Sequence, residues 1–446
     1  MAHILLLPFG SAGDVLPFLW LGRQLQARGH RITLISACLF EDPVKAAGLG
    51  FIPIGTKSDY EALMRNPRIW KAGTGTRLVL EIAVNAIEPY LAAVESADPV
   101  DLLVAPCTSF GARLAREKLG IPLVTVHLQP MVILSAHDTP LLHPLLGWVR
   151  FLPVWLKRLA FSLPNPVDIL ALPSVRRICR THGVTPPHSL WREWWDSPDG
   201  VLALFPAWFG QPQPDWPANL LQWTFPLEDL GKERALQPEL LAFLAAGERP
   251  VVFTPGSANL QADTFFEVAA TAVKSLGCRA VFVTRDPGQV PAGLPASILT
   301  VDYAPFSTLL RHACVFVHHG GVGTMAQGLA AGVPQLIMAM AHDQPDNARR
   351  LQILGAGIGL GVKQFTPARV TRALRRLRGE SGFADAAGAC AGMLRQARDP
   401  EELMRWLEAR VAGCTGGDVN HRRMKKFTLP CPIPPDLAFA FHVYGE

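Results

Sequence analysis

The sequence runs to 446 residues, too long for one ordinary hydrophobic core, so two domains are expected. With 49% apolar and 18% charged residues it is not a disordered chain. The formal charge of +5 is modest for this length, and the Arg and Lys residues are dispersed or set on helical faces, which argues against a nucleic-acid partner.

The apolar N-terminus is short, lacks a basic flank and runs directly into a glycine loop. It therefore reads as a first strand over 3–8 rather than a signal peptide. The turn Gly10-Ser11-Ala12-Gly13-Asp14 follows, then a helix from Val15 to Arg28 closed by Gly29, then a strand over 31–36. This βαβ opening is the usual start of a doubly wound sheet. The same grammar continues through a strand at 101–106, a helix at 110–119 and a strand at 122–126. It breaks between about 130 and 195. There, residues 141–161 are rich in Leu, Trp and Phe but interrupted by Pro144, Pro153, Arg150, Lys157 and Arg158. Three readings stay open for that stretch: a core-packing helix pair, a wall of a binding pocket, or a basic amphipathic face lying on a membrane. A strand returns at 201–205. Prolines crowd 206–226, and the interdomain linker is expected near 225–248.

A second βαβ series opens with the stretch Val251–Ser257, in which Ser257 follows the first strand. Strands at 280–284 and 298–303 alternate with helices at 263–276 and 305–312. The apolar run Ala313–Val317 then leads into His318-His319-Gly320-Gly321-Val322-Gly323-Thr324, and a helix over 325–331 ends at Gly332. Strand, glycine turn and helix together aim free backbone N–H groups at an anion. Thr324 adds a hydroxyl donor and His319 a ring N–H. After a strand at 334–339 comes the polar cluster Asp343, Gln344, Asp346 and Asn347, where open α/β sheets bind ligands. A helix follows at 347–354, and a terminal helix at 400–411 is expected to cross back to the first domain. Residues 413–446 carry little pattern and read as a poorly ordered tail.

Eight cysteines (38, 107, 179, 278, 314, 390, 414 and 431) lie far apart with no metal-ligand spacing, which fits free thiols in a reducing compartment. No apolar run approaches the ~20 residues that span a bilayer. A cytoplasmic protein is expected, with peripheral contact at the inner face of the membrane if residues 141–161 take the third reading.

Residues 316–324, Gly332-Val333-Pro334 and Asp343-Gln344 resemble the donor-binding signature of the UDP-glycosyltransferase superfamily, whose fold is GT-B. The chain is most similar to its bacterial branch of sterol, macrolide and glycopeptide glycosyltransferases, and within that to the B-subunit rhamnosyltransferases of rhamnolipid synthesis. The resemblance covers residues 1 to about 410. It implies two Rossmann-like domains facing across a cleft: an acceptor-binding domain over 1–225, a donor-binding domain over 226–400 and a crossing helix at 401–412. It also implies an inverting, metal-independent transfer from a nucleoside-diphosphate sugar, which is a co-substrate rather than a cofactor.

By the same resemblance His319, Gly321, Gly323 and Thr324 hold the pyrophosphate, Ser257 joins the donor site, and Asp343 and Gln344 contact sugar hydroxyls. Tyr303 falls where plant members stack a Trp on the base, but Phe306 replaces their Gln, and Gln327 replaces the ribose-binding Glu, a slight argument for dTDP over UDP. The plant His–Asp dyad is absent. Asp14 therefore takes the role of general base, as in the glycopeptide and sterol branch, or else caps the helix after it. Gly10, Ser11, Gly13, His127, His137 and Trp148 are the acceptor-side candidates. The expected reaction is transfer of rhamnose from dTDP-rhamnose to a hydroxyacyl lipid. Alternatives are a UDP-glucose-dependent transferase for a sterol- or polyketide-like hydroxyl, and a non-catalytic donor-binding partner subunit.

Overall fold

The computed structural model describes residues 1–64, 66–70, 74–97, 99–141, 144–228, 236–256, 263–396 and 399–412. Ser257 and the 413–446 segment lie outside the described residues.

Two parallel sheets organise the chain. The first contains β1 (His3–Leu6), β2 (Arg31–Ala37), β3 (Gly50–Ile54), β4 (Leu102–Pro106), β5 (Leu123–His127), β6 (Val201–Ala203) and β7 (Leu220–Gln222), in the order β3-β2-β1-β4-β5-β6-β7. The second contains β8 (Val251–Thr254), β9 (Ala280–Val283), β10 (Ile298–Val301), β11 (Val315–His318), β12 (Gln335–Ala339) and β13 (Gly357–Gly361), in the order β10-β9-β8-β11-β12-β13. Central strands such as His-Ile-Leu-Leu and Val-Val-Phe-Thr are buried along their whole length because helices cover both faces. The two-residue alternation decides which core each side chain joins. Leu5 packs with Tyr90 and Phe110 on one face, and Ile4 and Leu6 pack with Phe18 and Leu25 on the other. Each unit is thus a doubly wound Rossmann-like domain. Strand order reverses between β1 and β4 in one and between β8 and β11 in the other.

The helix Pro400–Ala412 buries Leu403, Met404 and Leu407 beside Phe18 and Leu21 of the helix Ala12–Ala27. Glu408 accepts from Arg28 at 2.6 Å and pairs with His30 at 2.9 Å, which fastens the end of the described chain to the first sheet. A second tie joins the domains where Asp346, fully buried, accepts from the Leu141 N–H at 3.0 Å while Arg350 reaches Asp138 at 3.0 Å.

Three helices begin three residues earlier than the sequence pattern indicates: Ala12 instead of Val15, Val322 instead of Met325, and Gln344 instead of Asn347. In the first two, glycines that read as loop occupy the first helical turn, where the N–H groups need no intrahelical partner. In the third, Pro345 stands in the first turn, which its missing N–H allows. A helix at Pro238–Ala245 occupies part of the stretch expected to be linker. The pattern also missed β3, whose Pro53 is tolerated because the strand lies at a sheet edge.

Candidate functional site

Gly10 leaves β1 with φ +132°, and a Cβ there would stand 2.3 Å from Asp14 Oδ2. The glycine is the room in which the Asp14 carboxylate sits. Ser11 is the N-cap of the helix Ala12–Ala27, and Asp14 is its third residue. Asp14 Oδ2 accepts from the Ser11 N–H at 2.8 Å and from the Ser11 hydroxyl at 3.1 Å. Asp14 is therefore the return arm of a capping box, not an N-cap. Burial pushes its pKa up to about 6 against the pull of the Ser11 N–H; Asp343 across the cleft raises it further, and the Ser11 hydroxyl and His342 lower it.

The turn after β11 has the same frame. Gly320 takes φ +94°, Gly321 is the N-cap, and the helix Val322–Ala331 begins with Val322, Gly323 and Thr324. Two buried side chains hold this turn. His318 Nδ1 accepts from the Gly320 N–H at 3.0 Å, so its Nε2 carries the proton and donates to Gln335 Oε1 at 2.8 Å. Asn347 donates to the Gly320 carbonyl at 2.9 Å and to Asp343 Oδ2 at 2.7 Å. His318 thus shapes the loop, while His319, pointing the other way, lines the cleft.

The His319 ring lies against two glycines: a Cβ on Gly256 would come within 2.5 Å of it, and one on Gly321 within 2.6 Å. These glycines make room for the imidazole. Gly323 alone of the three in Gly-Gly-Val-Gly has nothing within 4 Å of an added Cβ, so it is the one that faces open cleft. His319 Nδ1 is buried without a protein partner, and burial holds the ring's pKa down to about 4. A neutral imidazole with an unused nitrogen can donate to, or accept from, a ligand.

Asp343 follows β12. Its pKa is pushed up to about 6 by burial, against hydrogen bonds from the Asn347 side chain and backbone N–H groups that include that of Val322. Gln344 is nearly fully buried, and its Oε1 accepts from the N–H groups of Met340 at 2.8 Å and Ala341 at 3.2 Å. That oxygen is committed to the loop, so Gln344 has its amide N–H groups to offer. Just before them, His342 is the one non-glycine residue with positive φ (+57°) among the described residues. Its Nε2 bonds the Ile69 carbonyl of the first domain at 2.8 Å.

These pieces surround one cavity of about 640 Å³ lying where the two sheet reversals face each other. It takes in Gly10, Ser11, Gly13, Asp14, His319, Gly321, Gly323, Thr324, Asp343 and Gln344, so most of the candidate residues share a single space. Its other end is apolar, lined by Ile69, Val79, Ile82, Val132 and Tyr90. Val79 and Ile82 lie on the helix Thr74–Asn85, which was not among the expected elements. Tyr60 also enters; burial and the nearby Asp14 push its pKa up to about 12.

Several candidates fall elsewhere. His127 is turned away from the cavity walls Val126 and Leu128 and bonds Asp196 Oδ1 at 2.6 Å, as alternation along a strand requires. His137 is exposed and meets Arg158 at 3.2 Å. Trp148 is 59% exposed on the surface segment Pro144–Phe151. Tyr303 does not line the cavity and lies under the Arg285 guanidinium, 5.9 Å from its ring. Gln327 is buried outside the cavity lining, with its amide toward the Glu228 carbonyl at 3.5 Å.

Known proteins share this architecture. Residues 4–137 match the glycosyltransferase family 28 N-terminal domain, and residues 280–409 match the C-terminal domain of erythromycin biosynthesis protein CIII-like enzymes. Glycosyltransferase GtfE of Amycolatopsis orientalis is 29% identical over 372 residues, spanning 80% of this chain and 85% of its own. The solved glycosyltransferase of kitacinnamycin superposes with a TM-score of 0.71 at 22% identity, over 92% of this chain and 99% of that one. Spinosyn rhamnosyltransferase SpnG complexed with thymidine diphosphate does so with a TM-score of 0.66 at 21% identity, over 91% and 100%.

Proposed function

We propose that the chain is a glycosyltransferase of the GT-B superfamily and that it moves rhamnose from dTDP-rhamnose to a hydroxyl of a hydrophobic, lipid-like acceptor, by inversion and without a metal. The observation that carries this reading is Asp14: one recessed carboxylate between an apolar chamber and the N-terminus of the helix Val322–Ala331. An acceptor with an apolar body fills the chamber beside Val79, Ile82 and Tyr90 and presents its hydroxyl to Asp14. Asp14 takes the proton as the oxygen attacks the anomeric carbon. The diphosphate leaves toward the N–H groups of Gly323 and Thr324, the Thr324 hydroxyl and His319, which spread its charge without a cation. Asp343 and the Gln344 amide bind sugar hydroxyls. Ser257 belongs to the donor site by resemblance.

Thymidine diphosphate bound to SpnG supports the nucleotide, the name of that neighbour as a rhamnosyltransferase supports the sugar, and the apolar chamber supports the acceptor. We further propose a cytoplasmic location for the enzyme. The six described cysteines are all free, and no described helix is long and apolar enough to cross a membrane.

The test is thermal stabilisation by dTDP, dTDP-rhamnose, UDP and UDP-glucose with chelator present, followed by turnover on 3-hydroxyacyl acceptors. A ligand at 100 times its Kd adds roughly 2.7 kcal/mol. Preference for the thymidine compounds supports the reading. Preference for the uridine compounds replaces rhamnose with glucose, and stabilisation with no transfer to any hydroxyl acceptor replaces the enzyme with a donor-binding subunit.

A further inference from the structure

The segment that interrupts the βαβ grammar is neither core nor cavity wall at its most apolar positions. Trp148 is 59% exposed, Phe151 77% and Trp155 67%. Eight of the fifteen exposed large hydrophobic residues among those described fall within residues 146–170. A monomeric soluble protein rarely concentrates them so. Seven of them sit on three consecutive elements, the 3₁₀ segment Pro144–Phe151, the helix Val154–Ser162 and the helix Pro166–Thr181, and Leu163 is the C-cap of the second.

The two helices divide by face. In the first, Trp155, Arg158 and Leu159 recur at three- and four-residue spacing and are exposed, while Lys157 turns inward and donates to the Arg150 carbonyl at 3.2 Å. In the second, Val167, Ala171 and Val175 are buried, and Leu80 and Ala83 share their core. Its outer positions Ile169, Leu170 and Pro173 are exposed, and the same face continues into Arg177 and Arg180.

Charge identifies what covers this surface. Residues 141–195 hold seven Arg and Lys against two acids, a difference of +5, equal to the formal charge of the whole chain. None of the seven makes an ion pair with a carboxylate among the described residues. Both acids are engaged with the local backbone: Asp168 accepts from the Leu190 N–H at 2.6 Å, and Glu193 from the His188 N–H at 3.0 Å. Apolar rings beside the exposed Arg150, Arg158, Arg177 and Arg180 match an anionic lipid surface, in which aromatic rings settle at headgroup depth and guanidinium groups meet phosphates. A second copy of the chain would bring the same positive charge against itself.

We propose that residues 146–180 form a docking face for an anionic bilayer, holding the enzyme peripherally at the surface from which it draws its acceptor. The helix Pro166–Thr181 packs through its inner face on the helix Thr74–Asn85, and Val79 and Ile82 of that helix line the cavity. The docked face is thus one helix layer from the chamber assigned to the acceptor. The docking stands without the proposed sugar; only its purpose rests on the lipid-acceptor reading.

The test is co-sedimentation of the full chain with phosphatidylcholine vesicles with and without phosphatidylglycerol, at low and high salt. Binding to the anionic vesicles is expected, weakened at high salt and on neutral vesicles, with each basic residue near the surface contributing about fivefold in affinity. The variant Trp148→Ser/Phe151→Ser/Trp155→Ser is expected to lose at least about tenfold in vesicle affinity. Its thermal shift with nucleotide should stay unchanged, which shows that it folds and keeps the donor site. Equal binding to neutral and anionic vesicles, or an unaltered variant, overturns the proposal. So does light scattering that shows a dimer which the three substitutions dissociate. If vesicles bind but no lipid acceptor is glycosylated, the acceptor reading fails and the docking face stands.

Discussion

The two glycine turns that face each other across the cleft are built on one plan and do opposite work. Gly10 and Gly320 both take positive φ, Ser11 and Gly321 are both N-caps, Gly13 and Gly323 are both second helical residues, and Asp14 and Thr324 are both third. The difference lies in two side chains. In the first domain the N-cap serine and the third-position carboxylate close on each other, so the positive end of the helix is already occupied by the protein's own anion. In the second domain the N-cap has no side chain and the third residue is neutral; Asp343 takes only the Val322 N–H, and Gly323 and Thr324 face the cavity. An α/β loop of this kind is an anion site by default; one carboxylate at the third position converts it into a base that repels phosphate.

The largest effect should come from removing that carboxylate. Asp14→Asn keeps an acceptor for the Ser11 N–H and is expected to lower kcat by about 10²–10⁴-fold while leaving nucleotide affinity unchanged. Stability should move the other way. The folded-state pKa of Asp14 is raised from 3.8 to about 6, so its ionisation weakens the native state as pH climbs through that window. At pH 8 the variant should be more stable by roughly 1–3 kcal/mol, and the gap should close near pH 4. The wild-type rate should fall about tenfold per pH unit below about 6, because a protonated Asp14 cannot accept the acceptor's proton. Since the Asp343 charge contributes to the shift, Asp343→Asn should move that limb to lower pH. A flat pH–rate profile between 5 and 7 would remove Asp14 from the mechanism.

The converse substitution tests whether the second loop works by being empty. Thr324→Asp places a carboxylate at the third position, as in the first loop. At an effective dielectric near 20, two charges about 4 Å apart repel by roughly 4 kcal/mol. Nucleotide affinity should therefore fall at least about 30-fold. The free protein should be no less stable, because an acid in the first turn suits the helix dipole. If nucleotide affinity survives, the diphosphate lies elsewhere.

Much of this comparison was legible in the sequence, and the illegible part has a common cause. Both glycine turns, both series of strands and the polar cluster at Asp343 could be read because chain-local pattern fixes them. Two helix starts were read three residues late because glycine signals a loop by composition, and a third because proline does, whereas the first helical turn tolerates both. His127, His137 and Trp148 were chosen by residue type near a strand end or within an apolar run. Which way each one points depends on strand phase and on packing partners far along the chain, such as Asp196 for His127. The apolar chamber could not be found in this way, because Ile69, Val79, Ile82 and Tyr90 come together only once the helix Thr74–Asn85 is docked.

His342 gives the smallest effect and the finest test, because it ties the second loop to the first domain. Its φ of +57° costs a side-chain-bearing residue about 1 kcal/mol, and its ring bonds the Ile69 carbonyl at 2.8 Å across the cleft. His342→Ala loses the bond and keeps the strain, so it should destabilise by roughly 1–2 kcal/mol. His342→Gly loses the bond and the strain together, so its net change should be smaller by about 1 kcal/mol than that of alanine. The two variants differ in stability yet lack the same cross-domain contact, so any property they share belongs to the contact. The shared property expected is a several-fold rise in acceptor KM with kcat little changed, because Ile69 lines the chamber and is held against His342 by this bond. If alanine and glycine raise KM in proportion to their destabilisation, the contact matters to folding alone, and the two loops keep their spacing without it.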